Sequence, residues 1–230
     1  MAQKRISRAR KRDLERPDEF LTLSSRLMEK ISLYWKPISA GFCVLLVVLG
    51  GILVFRYFSD KAEDKAFVML NQALMAYAAG QEHQDLEKAL EAVTPDFNTL
   101  ISQYGNRQGG MEARLAFARM NFQAGRMETA IAHYTAASKL FPEGSLGASA
   151  AWSGLGYALA AAGQHEKAIA AFAKVVDGSD AVLKADALYQ RALLYRKTGQ
   201  DADYNKSLQT LREKYPAFMY AELLPEPTEG

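Results

Sequence analysis

Three histidines (His83, His133 and His165) and one cysteine (Cys43) are the residues whose types suit metal or nucleophile chemistry. They are scattered, and no histidine has a partner at i,i+4. A zinc site needs three or four convergent ligands, so metal binding is not expected. No nucleophile stands beside a base in a recognisable pattern, and no glycine loop is built to cradle a phosphate. Gly109-Gly110 reads as a loop and Gly50-Gly51 as close packing in an apolar helix. A single cysteine rules out an intramolecular disulfide and does not locate the chain. These residues point to a protein that is not an enzyme, needs no cofactor and works by binding.

The elements that would position a binding surface begin with an apolar run. From Ile38 to Phe55 the chain reads ISAGFCVLLVVLGGILVF, without a charge. Such a helix is about 27 Å long, close to the thickness of a bilayer's hydrocarbon. Tyr34 and Trp35 precede it and Tyr57 and Phe58 follow, as suits the two interfaces. Pro37 fits the first turn of this helix. No small-x-small cleavage site follows directly, and the preceding region is long for a signal peptide. Phe42 before Cys43 does not suit lipidation. The run is therefore expected to be an uncleaved signal anchor, a transmembrane helix over 37–58.

Charge sets the expected orientation. Residues 1–36 hold ten Lys/Arg and five Asp/Glu, a net of +5, whereas 37–230 carry a net of −3. Basic flanks stay cytoplasmic. The amino terminus is thus expected inside, and the larger domain on the periplasmic face of a bacterial inner membrane. Residues 1–16 read as a disordered basic tail that sets topology and can meet anionic lipid headgroups. No DNA-binding fold accompanies them, so nucleic acid is not an expected partner. Over 17–36, Phe20, Leu23, Leu27, Ile31 and Tyr34 recur at helical spacing, which reads as an amphipathic juxtamembrane helix.

The remainder, 59–222, is repetitive. AWSGLGYALAAAGQHEKAIAAFAKVV places Trp152, Leu155, Gly156, Leu159, Gly163, Ala168, Phe172 and Val175 in the frame W-x2-L-G-x2-(large)-x3-G-x4-A-x3-F. Upstream the frame falls on Phe117, Ala118, Gly125, Ala130, Tyr134 and Pro142; downstream on Leu188, Ala192, Gly199, Leu208, Leu211 and Pro216. The turn glycines Gly125, Gly163 and Gly199 are 38 and 36 residues apart. The pattern resembles the tetratricopeptide repeat (TPR), whose period is about 34. The resemblance implies stacked antiparallel helix pairs. Small residues face each other in each pair (Gly156 with Ala168, Ala118 with Ala130), and a glycine precedes each second helix. The expected fold is all-α: an α-solenoid of TPR-like helical hairpins over about 111–142, 149–177 and 185–216, preceded by a single transmembrane helix.

Two parts of this stretch depart from the frame. In the last hairpin Arg191 replaces a leucine and Tyr204 a small residue, which suggests a capping role. Residues 61–104 read as a degenerate hairpin. Its first helix ends at Gly80 and can continue straight from the apolar helix. Its second starts at Thr94-Pro95-Asp96, with threonine as N-cap. Residues 223–230 read as a disordered acidic tail.

In the TPR frame, first helices line a partner-binding groove. That face carries Leu115, Arg119, Phe122, Ser153, Tyr157, Ala160, Tyr189, Leu193 and Arg196, and aromatic and Arg residues are common binding anchors. The family's clamp for carboxy-terminal acidic peptides uses Lys and Asn here; Asn is absent, so that clamp is not carried over. The layout of tail, single span and TPR-like domain also resembles the ancillary SecYEG translocon subunit family. That resemblance implies a scaffold or adaptor at the secretion channel, with a translocon or periplasmic chaperone partner, bound as a peptide or a folded domain. The alternative is an envelope or cell-division assembly factor that self-associates through its TPRs.

Overall fold

The structure, a computed structural model, describes residues 19–82, 85–178 and 180–217. The tails 1–16 and 223–230 lie outside the described residues, as do the side chains of Phe20, Leu23, Leu27 and Ile31. The chain divides into two units, Met1–Ser59 and Asp60–Gly230. Among the described residues there are eight helices and no strands.

The first helix, α1 (Glu19–Gln81), begins well before the apolar run, so the boundary drawn at residue 36 is not a helix boundary. Pro37 is therefore interior rather than in the first turn. A proline there removes one backbone hydrogen bond and is tolerated best in long apolar helices. Within the first unit the large apolar side chains stand uncovered, with Val47 and Phe55 each 75% exposed. By length and composition alone, this helix is long and apolar enough to cross a membrane.

The second unit is an array of antiparallel helix pairs. The end of α1 pairs with α2 (Leu86–Tyr104). The following pairs are α3 (Gln108–Gln123) with α4 (Met127–Leu140), α5 (Leu146–Ala161) with α6 (His165–Val176), and α7 (Ala181–Lys197) with α8 (Asp201–Lys214). The reversals at Gly125, Gly163 and Gly199 share one geometry, with φ of 76°, 76° and 75°. The residue after each glycine donates its N–H back across the turn, from Arg126 to Asn121 O, Gln164 to Leu159 O and Gln200 to Tyr195 O, each at 2.8 Å. This motif closes a helix with a left-handed residue, which only glycine adopts cheaply.

The same positions stitch successive pairs together. Arg126 Nη2 reaches Glu87 at 3.1 Å and Glu91 at 3.2 Å on α2. Two array steps further on, Gln200 Nε2 donates to Glu166 at 3.0 Å on α6. The first stitch puts α2 in the position of a second helix, as the degenerate hairpin requires.

The first pair and the start of α3 depart from the sequence expectation. Asp85 is the N-cap of α2, accepting from Lys88 N at 3.0 Å, so the helix starts nine residues before Thr94-Pro95. Thr94 Oγ1 instead turns back to Leu90 O at 2.7 Å, inside the helix. α1 ends at Gln81, one residue past Gly80, and a Cβ on Gly80 would lie 2.7 Å from the Ala89 Cβ, so this glycine also lets the two helices touch. Gly109-Gly110 is not a loop but the buried first turn of α3, where a Cβ on Gly109 would meet Ala66 Cβ at 2.9 Å. That turn has no cap of its own. Glu63 of α1 provides one, accepting from Gln108 N at 3.3 Å and Gly109 N at 2.6 Å.

Apolar clusters run along the array. One joins Leu70, Tyr77, Leu90, Phe97 and Phe117; Phe97 and Phe117 stack with centroids 5.1 Å apart. The middle cluster holds Tyr134, Leu155, Leu159 and Phe172, with Ala118 and Ala130 fully buried in it. The nearest atoms to a Cβ at Gly156 belong to the Phe172 ring at 2.7 Å, one turn after Ala168 on α6. The glycine makes room for that ring. In the last pair Arg191 Nη2 donates to Tyr195 OH at 2.7 Å, and the guanidinium sits 5.4 Å from the tyrosine ring centroid.

Candidate protein-binding groove

A recess of 680 Å3 opens between α3 and α5, over the face of α4. Its floor comes from Leu115 and Ala116 on α3 and from Tyr134 and Phe141 at the other side of the turn. Leu146 and Ala150 of α5 form the facing wall. The size and lining suit apolar side chains of a partner segment. The shape follows from local sequence. Gly147 lies against the Phe141 ring and Gly154 against Tyr134, so neither position accepts a Cβ without displacing an aromatic ring. Those two rings thus fill the space that side chains at 147 and 154 would take.

The rim is polar. Gln108 Nε2 donates to Glu112 Oε1 at 2.9 Å. Arg119 is exposed, and among the described residues no carboxylate pairs with it. Burial pushes the hydroxyls of Tyr77 and Tyr134 above the usual phenol range, and the Arg119 charge works against both shifts. Both phenols stay neutral at ordinary pH. Arg119 is left as the cation available at the groove.

The predicted face divides. Leu115 and Arg119 line the recess, and Phe122, farther along α3, packs half-buried against the middle cluster. Ser153 is buried in α5. Tyr157 fastens α5 to α7: its hydroxyl donates to Asp186 Oδ2 at 2.6 Å and its ring meets Phe172 edge-on at 5.2 Å. Ala160 packs against the same middle cluster. Tyr189 packs against the terminal cluster of Leu188, Leu208 and Leu211. Leu193 is exposed, and Arg196 lies 5.9 Å from the Tyr204 ring centroid. Sequence reasoning missed Tyr134, Phe141 and Leu146, which enter the recess from outside the first-helix face. The signal available for them was the glycine pair Gly147 and Gly154, seven apart on one face of α5.

A family model described as a tetratricopeptide repeat-like domain matches residues 32–186, and a tetratricopeptide repeat model matches residues 186–217. The chain belongs to the tetratricopeptide repeat-like family. TPR domains bind protein partners and are generally non-enzymatic scaffolds. Solved structures agree on the fold. The chain is similar to the crystal structure of MamA protein, at 18% identity and a TM-score of 0.52, over 66% of this chain and 76% of that one. It is also similar to a tetratricopeptide repeat protein from Parabacteroides merdae, at 15% identity and a TM-score of 0.54, over 67% of this chain and 57% of that one. BtubC from P. vanneervenii gives 14% identity and a TM-score of 0.54, over 69% and 66%. At these identities the likeness concerns the TPR fold alone. No curated protein matches the chain by sequence.

Proposed function

We propose that this chain is a single-pass membrane scaffold that presents a TPR domain to protein partners on the periplasmic face of a bacterial inner membrane. One observation carries the membrane half. Large apolar side chains from Phe42 to Phe58 stand exposed, while the TPR unit buries residues of the same types in its core. Such a row is stable only under lipid or another apolar cover. The family match also begins at residue 32, ahead of the apolar run. The basic excess before residue 37 supports an amino terminus on the cytoplasmic side.

The binding half rests on the recess at Leu115 and Arg119. Its apolar floor and unpaired cation suit a segment with apolar side chains and a nearby carboxylate. The architecture favours partners at the secretion channel, such as the translocon or a membrane-tethered periplasmic chaperone. The reading asks the chain for binding and for no catalysis or cofactor.

The test is photo-crosslinking in native membranes from a probe at Leu115 and, in parallel, at Leu193. Adducts with translocon or chaperone subunits are expected from position 115 and lost with Arg119→Glu. Self-adducts alone would favour the assembly-factor alternative. A carboxy-terminal alkaline phosphatase fusion should be active; an inactive fusion would reverse the topology.

A further inference from the structure

Three recesses of the TPR unit each include a carboxylate among their lining residues: Glu112 in the groove above, Asp177 in a second and Glu213 in a third. A fourth, of 250 Å3, lies where α2 ends and the chain turns into α3. The charged residues lining it are Arg107 and Arg114, with Gln103 and Asn106 beside them, and no acid.

Arg114 is half-buried, its Nε is shut off from solvent, and no acceptor reaches that atom. Among the described residues no ion pair includes it. Its charge is felt on the inner side. Burial first, and then Arg114, hold the His133 imidazole below its ordinary pKa. The His133 ring lies edge-on to Phe117 at 4.9 Å, and its buried Nδ1 also lacks a partner. The carbonyl end of α2 favours a cation at this place. It does not supply the acceptor that Arg114 Nε lacks. Shutting one N–H of a guanidinium off from water without an acceptor is costly, and the outer N–H groups of its planar fork match the oxygens of a phosphate.

We infer that this recess, framed by Arg107, Arg114, Gln103 and Asn106, binds a phosphate-type oxyanion, and that in the assembled protein the phosphate belongs to a lipid headgroup. The second half rests on the membrane-anchored reading above. Tether length supports it. Gln108, next to Arg107, donates its backbone N–H to Glu63, five residues after Phe58. Five residues of chain reach at most about 18 Å. If the apolar run crosses a bilayer, the recess is held within reach of its headgroups. Glu63 itself is engaged by the N–H groups of Gln108 and Gly109 and does not line the recess.

The experiment uses the full chain in maltoside micelles, which contain no phosphate. Millimolar inorganic phosphate is compared with chloride and with acetate at equal ionic strength. Phosphate at ten times its Kd is expected to raise Tm by about 3 °C. It should also move the His133 midpoint upward in an NMR titration, because the Arg114 charge is then balanced. Arg107→Gln and Arg114→Gln should each lose both responses. Lys139→Gln, in another recess, should keep them. No response in the wild type, an equal response in both arginine variants, or a larger one to acetate would overturn the oxyanion site. The second arm places the chain in nanodiscs of phosphatidylglycerol and phosphatidylcholine. There the His133 midpoint should already be raised and added phosphate should do nothing more. A full response to added phosphate in the nanodiscs would overturn the lipid source. If the chain fails to co-purify with the discs, the membrane reading fails, and the micelle arm still decides the recess.

Discussion

The middle pair, α5 and α6, and the first pair, the end of α1 with α2, build the same hairpin with glycines used in opposite ways. In the middle pair Gly163 turns the chain, and its need is written in its own backbone, at φ 76°. In the first pair Gly80 stays inside a helix and is required by its neighbour Ala89. Gly109 and Gly110, at the start of α3, are likewise small because α1 and the end of α2 lie against them. A turning glycine is a local constraint and repeats with the array. A packing glycine is a constraint between helices, and it appears where one helix must lie unusually close to another.

Substitutions can break this contrast in order of size. Gly110→Ala drives a methyl into the Tyr104 carbonyl, a backbone atom that cannot rotate away. Denaturant unfolding should show a loss of about 3 kcal/mol, at the upper end for overpacking. Gly163→Ala has open space around its Cβ, so only the backbone strain is felt. About 1–2 kcal/mol is expected by the same measurement. If Gly163→Ala proved the costlier of the two, the distinction between turning and packing glycines would be wrong.

Glu63→Ala removes the borrowed cap of α3, and about 1 kcal/mol should be lost. Glu63→Gln should recover part of it, since an amide oxygen still accepts.

The last prediction is a slope in pH inside the second pair, where His133 of α4 meets Phe117 of α3. The His133 pKa is lowered by burial and then by Arg114. The unfolded chain, with an imidazole pKa of about 6.5, therefore binds more protons than the folded one below that pH. The stability is fully present above about 6.5 and is lost as the pH falls below it. His133→Phe should flatten this dependence; an unchanged slope would place its origin elsewhere.

The same contrast explains what could be read from the residues alone. Gly125, Gly163 and Gly199 gave away the later hairpins because a left-handed turn needs glycine at a fixed offset from the next helix. Thr94-Pro95 misled because a threonine followed by proline is a fair N-cap locally, whereas Asp85 is the cap used and Thr94 bonds within its helix. Gly109-Gly110 looks like a loop because the α1 surface that crowds Gly109 lies more than forty residues away in sequence. Leu115 and Arg119 were legible from the repeat frame, but the floor formed by Tyr134 and Phe141 depends on how two helices meet. Tyr157 sat on the predicted face, yet the Asp186 carboxylate that engages its hydroxyl comes from the next pair.

The amides of Gln108 and Gly109 are bonded to a carboxylate 45 and 46 residues upstream, whereas those further along α3 are bonded within the helix. Their protection therefore follows the seating of α1, not the integrity of α3. In a hydrogen-exchange experiment on the whole chain, these two amides act as a gauge. If α1 lifts from the array while α3 stays folded, they exchange early and alone.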